Sequence, residues 1–317
     1  MSKISEKLQV QWLEVDAQHS GQRLDNYLLA TLKGVPKSHI YRIVRTGEVR
    51  INKGRVRPNY RLCEGDVVRV PPIRTASRED YSHLPGFALE PRVIYEDDFL
   101  LVMDKPSGIP VHGGSGYSLG IIEDLRRSRS RQAYLELVHR LDRETSGCLL
   151  IAKSRSALLS LHASLRDHAD KGIRRTYIAL LQGSWKGAKQ RRVDASLTKN
   201  VVRSGERMVV VAEDGRPSTS VFRLVRRLAH CALVEVDLHT GRTHQARVHA
   251  AHIGHPIAGD EKYGDRAFNK QCRQRGLSRL FLHASRLQFV HPGSNQAMLI
   301  ETPLPEDLQD HVGKLRK

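Results

Sequence analysis

The sequence predicts an α+β protein in which a small α/β domain precedes a larger domain built on a mixed, mainly antiparallel sheet. The chain has 317 residues, about twice the length of a typical domain. Residues 21–75 show two helical segments followed by short strands. From residue 91 onward, strand-like runs recur as hairpins without the regular βαβ spacing of a doubly wound fold. We therefore divide the chain into an N-terminal extension (1–20), a small domain (21–75), a linker (76–90) and a large domain (91–317).

The small domain is densely basic. Residues 24–28 have apolar side chains at helical spacing, and Ser38 is positioned to cap a second helix. Short strands follow at 49–51 and 67–70, joined through turn sequences rich in glycine and asparagine or aspartate. The domain contains 12 Lys or Arg residues against four acidic ones, a net charge of +8. We read it as two helices and a small ribbon.

The large domain begins with a predicted hairpin over residues 93–103 and a turn after Lys105. Two apolar runs, 135–138 and 148–152, are typical of strands, so the nine residues between them form a loop that carries Asp142.

Further along the chain, Ser154 is positioned to cap a helix with a leucine stripe, and residues 177–181 resemble a strand. Residues 234–238 alternate between apolar and acidic side chains, which predicts a half-buried strand. A turn then leads into a helix around Arg247 that ends at Gly254.

The composition indicates a globular protein with a polyanionic partner. Hydrophobic residues make up 39% of the chain, and the net charge is +18. Lysine and arginine gain binding free energy from phosphates by releasing condensed counterions, so nucleic acid is the first candidate; a merely soluble basic protein is the alternative.

Other classes of protein fit the sequence less well. The four cysteines are far apart and form no CxxC pair, so neither a disulfide framework nor a zinc ribbon is indicated. His244, His249 and His252 lack a carboxylate or cysteine partner at metal spacing, so we expect no metal. The chain has neither an apolar signal segment nor an apolar stretch of membrane-spanning length, so we expect a cytoplasmic protein without membrane contact.

The segment His139-Arg140-Leu141-Asp142-Arg143-Glu144-Thr145-Ser146-Gly147 places a carboxylate between two arginines. A neighbouring guanidinium favours the ionised carboxylate, which suits a nucleophile or a charge stabiliser better than a proton donor. From spacing alone, however, an ordinary surface ion-pair loop is the stronger interpretation.

This segment, HRLDRETSG, resembles the HRLDxxTSG signature of the RluA family of pseudouridine synthases. Four further segments appear in the order of that family: KPSGIPVHGG, RRTYIALLQG, LHTGRTHQARVHAAHIGHPIAGDEKYG and LFLHASRLQF. In the small domain, GQRLDNYL, PKSHIYRIVRTGEVRINKGR and EGDVVRV resemble the S4 RNA-binding domain. The match looks closest to members that act on bacterial large-subunit (23S) ribosomal RNA.

The resemblance implies an isomerase that converts uridine to pseudouridine without a cofactor, and we expect it to act as a monomer. Asp142 would act at C1′ of a flipped-out nucleotide, through either a covalent adduct or a glycal. Tyr177 would stack on the uracil. Arg247 matches the expected partner of Asp142, with Arg242 as the competing choice and a possible RNA contact. Arg140 would fill the space left by the flipped base, although it is also placed to pair with Glu144.

The remaining assignments concern RNA contacts. The S4 resemblance implies that basic residues of the small domain contact RNA backbone; for each one alone, a solvated helix face is an equal alternative. Arg175 stands where the family usually has lysine, two residues before the tyrosine. The charge is kept but the donor geometry changes, so we assign it no specific role. The predicted RNA-binding residues of the small domain are Arg23, Lys37, Arg42, Arg45, Arg50 and Lys53.

Two alternative functions remain open. A pseudouridine synthase for tRNA or for other rRNA positions would carry the same catalytic motifs, and only target mapping separates it from the first choice. A non-catalytic S4-type ribosome-assembly factor is a different class of protein, and the intact HRLDRETSG segment argues against it.

Overall fold

The computed structural model describes residues 9–32, 35–73, 86–87, 89–113, 119–129, 134–167, 172–203 and 206–315, without side chains at 91, 200–203 and 206–207. The chain divides into two compact units, residues 1–85 and 86–317. None of the described helices is both long enough and apolar enough to cross a membrane.

The first unit consists of a three-stranded antiparallel sheet and a pair of helices that share one core. The strand order is β1-β3-β2. The apolar residues predicted to lie on helical faces are buried, including Leu24, Leu28, Ile40 and Ile43. The elements are β1 (Gln11–Glu14), α1 (Leu24–Thr31), α2 (Lys37–Arg45), β2 (Arg50–Ile51) and β3 (Val67–Val70).

Two expectations about this unit are corrected. The segment 1–20 is not simply an extension, because β1 pairs with β3 in a register that joins Gln11 to Val70. Ser38 does not cap α2: the helix begins at Lys37 with Pro36 at the capping position and no side-chain cap. Ser38 is already the second residue of the helix, so its hydroxyl lies beyond the capping position. Residues 1–8 lie outside the described residues.

The second unit has a ten-stranded sheet and five helices among its described residues. Its elements are β4 (Val93–Glu96), β5 (Leu100–Lys105), α3 (Ile121–Ser128), β6 (Glu136–Leu137), β7 (Ser146–Ala152), α4 (Arg155–Arg166), β8 (Arg174–Gln182), β9 (Gln190–Asp194), β10 (Leu197–Arg203), β11 (Glu206–Val211), β12 (Thr219–Arg227), β13 (Cys231–Leu238), α5 (Gln245–His252), α6 (Arg266–Gln274), β14 (Leu282–Val290), β15 (Ala297–Glu301) and α7 (Glu306–Lys314).

The sheet of this unit confirms the predicted mixed, mainly antiparallel architecture. Its main path runs β4-β5-β7-β14-β8-β13-β12-β9, with β15 paired to β14 and β6 paired to β7, while β10 and β11 form a separate hairpin. Every pairing among the described strands is antiparallel except that of β7 with β14. Ser154 caps α4 as predicted, accepting a hydrogen bond from the backbone N–H of Ala157.

The core of this unit lies on both faces of the sheet. Side chains of α3, α6 and α7 join one large cluster of buried residues, and those of α4 join a second cluster. Leu89 belongs to the first cluster, and the backbone N–H of Phe87 donates to Asp124. The predicted linker 76–90 therefore ends too late, because its last residues pack into the second unit; residues 76–85 lie outside the described residues.

The parallel contact between β7 and β14 sets the position of the loop that carries Asp142. Gly147 adopts a φ of +109°, and a Cβ atom at this position would lie 2.2 Å from the carbonyl oxygen of Ala284. Only glycine permits this backbone approach without strain.

We expect Gly147→Ala to lower the free energy of unfolding by about 3 kcal/mol or more, because it adds both backbone strain and overpacking. Gly313→Ala is the matched control, since nothing lies within 4 Å of its Cβ position in α7 and alanine favours helix by up to about 1 kcal/mol. Urea unfolding of both variants tests this. Equal stabilities would contradict the close approach of the two strands.

Candidate active site

Asp142 lies in the loop between β6 and β7, as the flanking apolar runs predicted. The loop is tied to the end of β5 by Lys105, whose side chain is fully buried. Its Nζ donates hydrogen bonds to the carbonyl oxygens of Pro106 (2.8 Å), Ile109 (2.8 Å) and Arg143 (2.9 Å). Burial lowers the pKa of Lys105 to about 7, although nearby carboxylates oppose this shift. Lys105 therefore fixes the residue that follows Asp142.

The other end of the loop is held by a buried polar cluster. Ser146 Oγ lies 2.9 Å from His283 Nδ1 and accepts a hydrogen bond of 3.0 Å from Arg279 Nη1. Arg279 also pairs with Asp307 at 2.6 Å. Burial lowers the pKa of His283 to about 4, so its ring is neutral at pH 7. Both ends of the loop are anchored, while the Asp142 side chain remains 27% exposed.

Of the two arginines considered as partners of Asp142, Arg247 makes the contact. Its Nη1 lies 3.2 Å from Asp142 Oδ2. The same guanidinium forms a two-pronged pair with Asp260, with Nε–Oδ2 and Nη2–Oδ1 distances of 2.7 Å. Arg242 instead donates from Nε to the carbonyl oxygen of Pro217 at 3.2 Å. Arg247 thus bridges two carboxylates, one buried and one accessible.

The surroundings of Arg247 keep it charged and oriented. Burial acts to lower the pKa of Arg247, but the hydrogen bonds and charges of Asp260 and Asp142 outweigh it and raise that pKa above its usual range. Asp260 is 1% exposed. The ring of Tyr263 lies 5.1 Å from the guanidinium carbon, at cation–π distance. His244 Nε2 is 3.8 Å from Asp142 Oδ2, too far for a hydrogen bond.

Tyr177 lies on β8 in the wall of the same cavity as Asp142. It is 6% exposed, and its hydroxyl makes no hydrogen bond to any residue that the structure describes. Burial raises the pKa of Tyr177 to about 12, so the phenol is uncharged near neutral pH. It supplies the cavity with a neutral aromatic surface.

The cavity has a volume of about 650 Å³, within the range of ligand sites. Asp142 is the one acidic residue in its described lining, which contains six cationic side chains. Within the described part of the chain, Arg247 is the only one of these cations that pairs with a carboxylate. The six are Arg140, Arg166, Arg175, Lys199, Arg242 and Arg247.

The structure thus brings five predicted residues together at one cavity: Asp142, Tyr177, Arg247, Arg140 and Arg242. Arg140 is exposed there. The alternative partner proposed for it, Glu144, pairs with Arg143 at 2.6 Å.

In the small unit, Arg23 differs from the other predicted RNA-binding residues. Its guanidinium is engaged by Asp25, with distances of 2.6 Å from Nη2 to Oδ2 and 3.1 Å from Nε to Oδ1. The Tyr41 hydroxyl donates to the same carboxylate at 2.7 Å. The hydrogen bond from Arg23 lowers the pKa of Asp25 to about 2. Arg23 therefore neutralises the buried Asp25 within the small unit.

Like Arg23, whose side chain is 44% exposed, the other predicted RNA-binding residues of this unit have exposed side chains. Arg42 lies 3.4 Å from Glu48, a contact between two exposed groups that leaves the arginine accessible to solvent. The remaining exposed cations are Lys37, Arg45, Arg50 and Lys53.

Sequence reasoning missed two residues that shape the site, Asp260 and Lys105. Asp260 follows Arg247 by 13 positions, beyond any local helical spacing. The only signal for it in the sequence was its place in the segment GDEKYG, which resembles the family. Lys105 sits at the end of a predicted strand, where a lysine is ordinarily exposed. Its burial arises from tertiary contacts with the Asp142 loop.

Comparison with known proteins identifies related sequences. Residues 99–252 match the family model described as RNA pseudouridylate synthase, and residues 22–68 match the S4 domain model. The chain is 53% identical to Ribosomal large subunit pseudouridine synthase C of Yersinia pestis, over 97% of this chain and 96% of that protein. It is 51% identical to the protein of the same name from Escherichia coli strain K12, over 97% of each chain.

A solved structure agrees in fold. Human RNA Pseudouridylate Synthase Domain Containing 4 aligns with a TM-score of 0.57 and 23% identity, over 72% of this chain and 94% of that chain. The sequence relatives and this fold match confirm the resemblance and the fold class predicted above.

The Arg247–Asp260 pair should contribute strongly to stability. We expect Asp260→Asn to lower the free energy of unfolding by about 3–5 kcal/mol, because it removes the buried carboxylate that holds two nitrogens of the buried Arg247 guanidinium. Asp194→Asn is the matched control: Asp194 pairs with Arg192 at 2.7 Å, but both side chains are more than half exposed, so little change is expected. Urea unfolding measures both variants, and equal losses would show that the buried pair has no special structural role.

Proposed function

This chain belongs to the RNA pseudouridylate synthase family, and we propose that it converts specific uridines of large-subunit ribosomal RNA to pseudouridine. Two relatives named Ribosomal large subunit pseudouridine synthase C, 51% and 53% identical over nearly the full length of the chain, support this substrate. The observation that carries the proposal is the Asp142–Arg247 pair in a cavity whose other cations lack carboxylate partners among the described residues.

The proposed reaction is an isomerisation. The bond from N1 of uracil to C1′ of the ribose breaks, the base turns, and C5 bonds to C1′. C5 loses a proton and N1 gains one, so atoms and electrons balance without an external oxidant or reductant. We therefore propose that the enzyme needs no cofactor. We further propose that it acts as a monomer in the cytoplasm.

We assign Asp142 the action at C1′. Its carboxylate is partly exposed within the cavity, and Arg247 holds one of its oxygens at 3.2 Å. This arrangement directs a fixed negative charge toward the carbon that becomes electron-poor as the glycosidic bond breaks. Nucleophilic attack on C1′ and abstraction of a ribose proton to give a glycal both begin from this placement. The proposal covers both routes.

We assign Tyr177 to the face of the uracil, near C5. The pKa of about 12 keeps the ring uncharged at neutral pH, so it offers an aromatic surface with no competing charge. Its hydroxyl, which has no partner among the described residues, is available to a bound base.

The cations of the cavity fit a flipped nucleotide. Extruding a uridine from folded RNA costs roughly a few kcal/mol of stacking and pairing, and contacts between arginine or lysine and phosphate offset this cost. Arg140 is exposed at the cavity, and we propose that its planar guanidinium occupies the gap that the base leaves. Arg242 and the exposed cations of the S4 domain then contact the RNA backbone.

Mapping pseudouridine in both rRNA and tRNA tests the function. In cells that lack this protein, carbodiimide mapping should show the loss of pseudouridine at one or more 23S positions. Wild type and Asp194→Asn should restore it, whereas Asp142→Asn should not, with kcat/KM reduced by about a thousandfold or more. No missing modification in the null strain would overturn the proposal, losses confined to tRNA would redirect it to tRNA, and rescue by Asp142→Asn would remove the aspartate from the mechanism.

A salt titration tests the RNA contacts of the small domain. Replacing Arg45 and Lys53 by glutamine should reduce the slope of log affinity against log salt by about 1 to 2, because each lost phosphate contact removes roughly 0.7–0.9 from the slope. The control is Lys186→Gln with Arg226→Gln, which removes the same charge from exposed positions of the large unit. Equal slope changes in the two double variants would count against the small domain as an RNA-binding surface.

A further inference from the structure

Arg175 is a buried arginine without an anionic partner. It lies on β8 and is only 9% exposed. No residue in the described part of the chain accepts a hydrogen bond from its side chain or forms an ion pair with it, and its Nε is a buried nitrogen without a partner. Burial lowers the pKa of Arg175 below its usual range. A guanidinium removed from water in this way is costly unless an anion reaches it.

The position of Arg175 places it within reach of a ligand. Its side chain lines the cavity that contains Asp142 and also a neighbouring cavity of about 410 Å³. Its Nη1 lies against the turn that precedes α5: a Cβ atom at Gly241 would be only 2.6 Å away. The glycine makes room for the guanidinium at the boundary between the two cavities.

Among the described residues, no carboxylate pairs with Arg175; of the two aspartates that line the neighbouring cavity, Asp237 pairs with Arg223. His139, whose pKa is lowered to about 3 by burial and by this arginine, is neutral. Tyr177, two residues away on the same strand, is also neutral. Asp142 is engaged by Arg247. The missing anion therefore has to enter with the substrate, and the anion that RNA brings to every nucleotide is its phosphate.

We propose that Arg175 binds a backbone phosphate next to the target uridine, and that the neighbouring cavity receives the adjoining nucleotide. This rests on the proposed function. The two terminal nitrogens of a guanidinium match two phosphate oxygens, a geometry that a lysine ammonium lacks. Arg174, Arg223 and Arg286 also line the neighbouring cavity, so its lining has four arginines against two aspartates, Asp167 and Asp237. Arg223 pairs with Asp237, and Arg286 pairs with Glu235 outside the lining.

The test combines protein and RNA substitutions. Once the target uridine is mapped, single methylphosphonates replace each phosphate from two positions before it to two positions after it. At one position, the neutral linkage should lower kcat/KM of the wild type by about 10- to 100-fold. On native RNA, Arg175→Gln should have a kcat/KM lower than that of the wild type by a similar factor. On RNA with the methylphosphonate at that position, the kcat/KM of Arg175→Gln should fall little further. The kcat/KM of Arg175→Lys on native RNA should lie between those of the wild type and Arg175→Gln. The surface control Arg226→Gln should behave as wild type.

The proposal would be overturned if, at every position, the loss from Arg175→Gln and the loss from the methylphosphonate multiplied, because Arg175 would then act independently of any tested phosphate. Thermal unfolding of the free protein separates binding from a structural role. Arg175→Gln should unfold at the same or a higher temperature than wild type, since it removes an uncompensated buried charge; a clear decrease would contradict the proposal. If the wild type forms no pseudouridine in the native RNA, the proposed function fails, whereas an active wild type without the phosphate coupling refutes only the role of Arg175.

Discussion

The buried pair between Arg247 and Asp260 is the interaction on which the geometry of the site depends. Asp260 is almost fully buried and holds two nitrogens of the guanidinium at 2.7 Å, which leaves the third nitrogen to contact Asp142. A single arginine on a short helix would otherwise sample several rotamers. The buried carboxylate of Asp260 thus orients the Arg247 guanidinium, which contacts the accessible carboxylate of Asp142. Lys105 also anchors the Asp142 loop, by donating a hydrogen bond to the carbonyl oxygen of Arg143.

The cations of the cavity are electrostatically unfavourable in the free protein. Five of its six basic side chains have no carboxylate partner among the described residues, and they repel one another in the free protein. Neighbouring arginines help to lower the pKa of Lys199, in addition to its burial. A protein selected only for stability would pair or remove such charges. Under the proposed function, the phosphates of the RNA substrate supply the compensating charge on binding.

Much of this arrangement was predictable from sequence, and the exceptions have physical reasons. The Asp142 loop followed from two apolar runs typical of strands, and alternation marked the half-buried strand at 234–238. The partner of Asp142 was not decidable, because Arg242 and Arg247 lie in one short segment and only tertiary packing directs one of them to the carboxylate. Strand β1 was missed because QWLE lacks clear alternation and its partner strand lies more than 50 residues later.

The position of β7 has a consequence for the order in which the protein folds. The small unit closes its sheet by pairing residues 11–14 with residues 67–70, so all strands of this sheet are present when less than a quarter of the chain has been synthesised. The loop with Asp142 is fixed only when β14 pairs with β7, a contact between residues 137 positions apart at Ser146 and His283. Such distant contacts form late, because closing a long loop costs entropy. On the ribosome, the small unit is therefore able to fold long before Asp142 is in place.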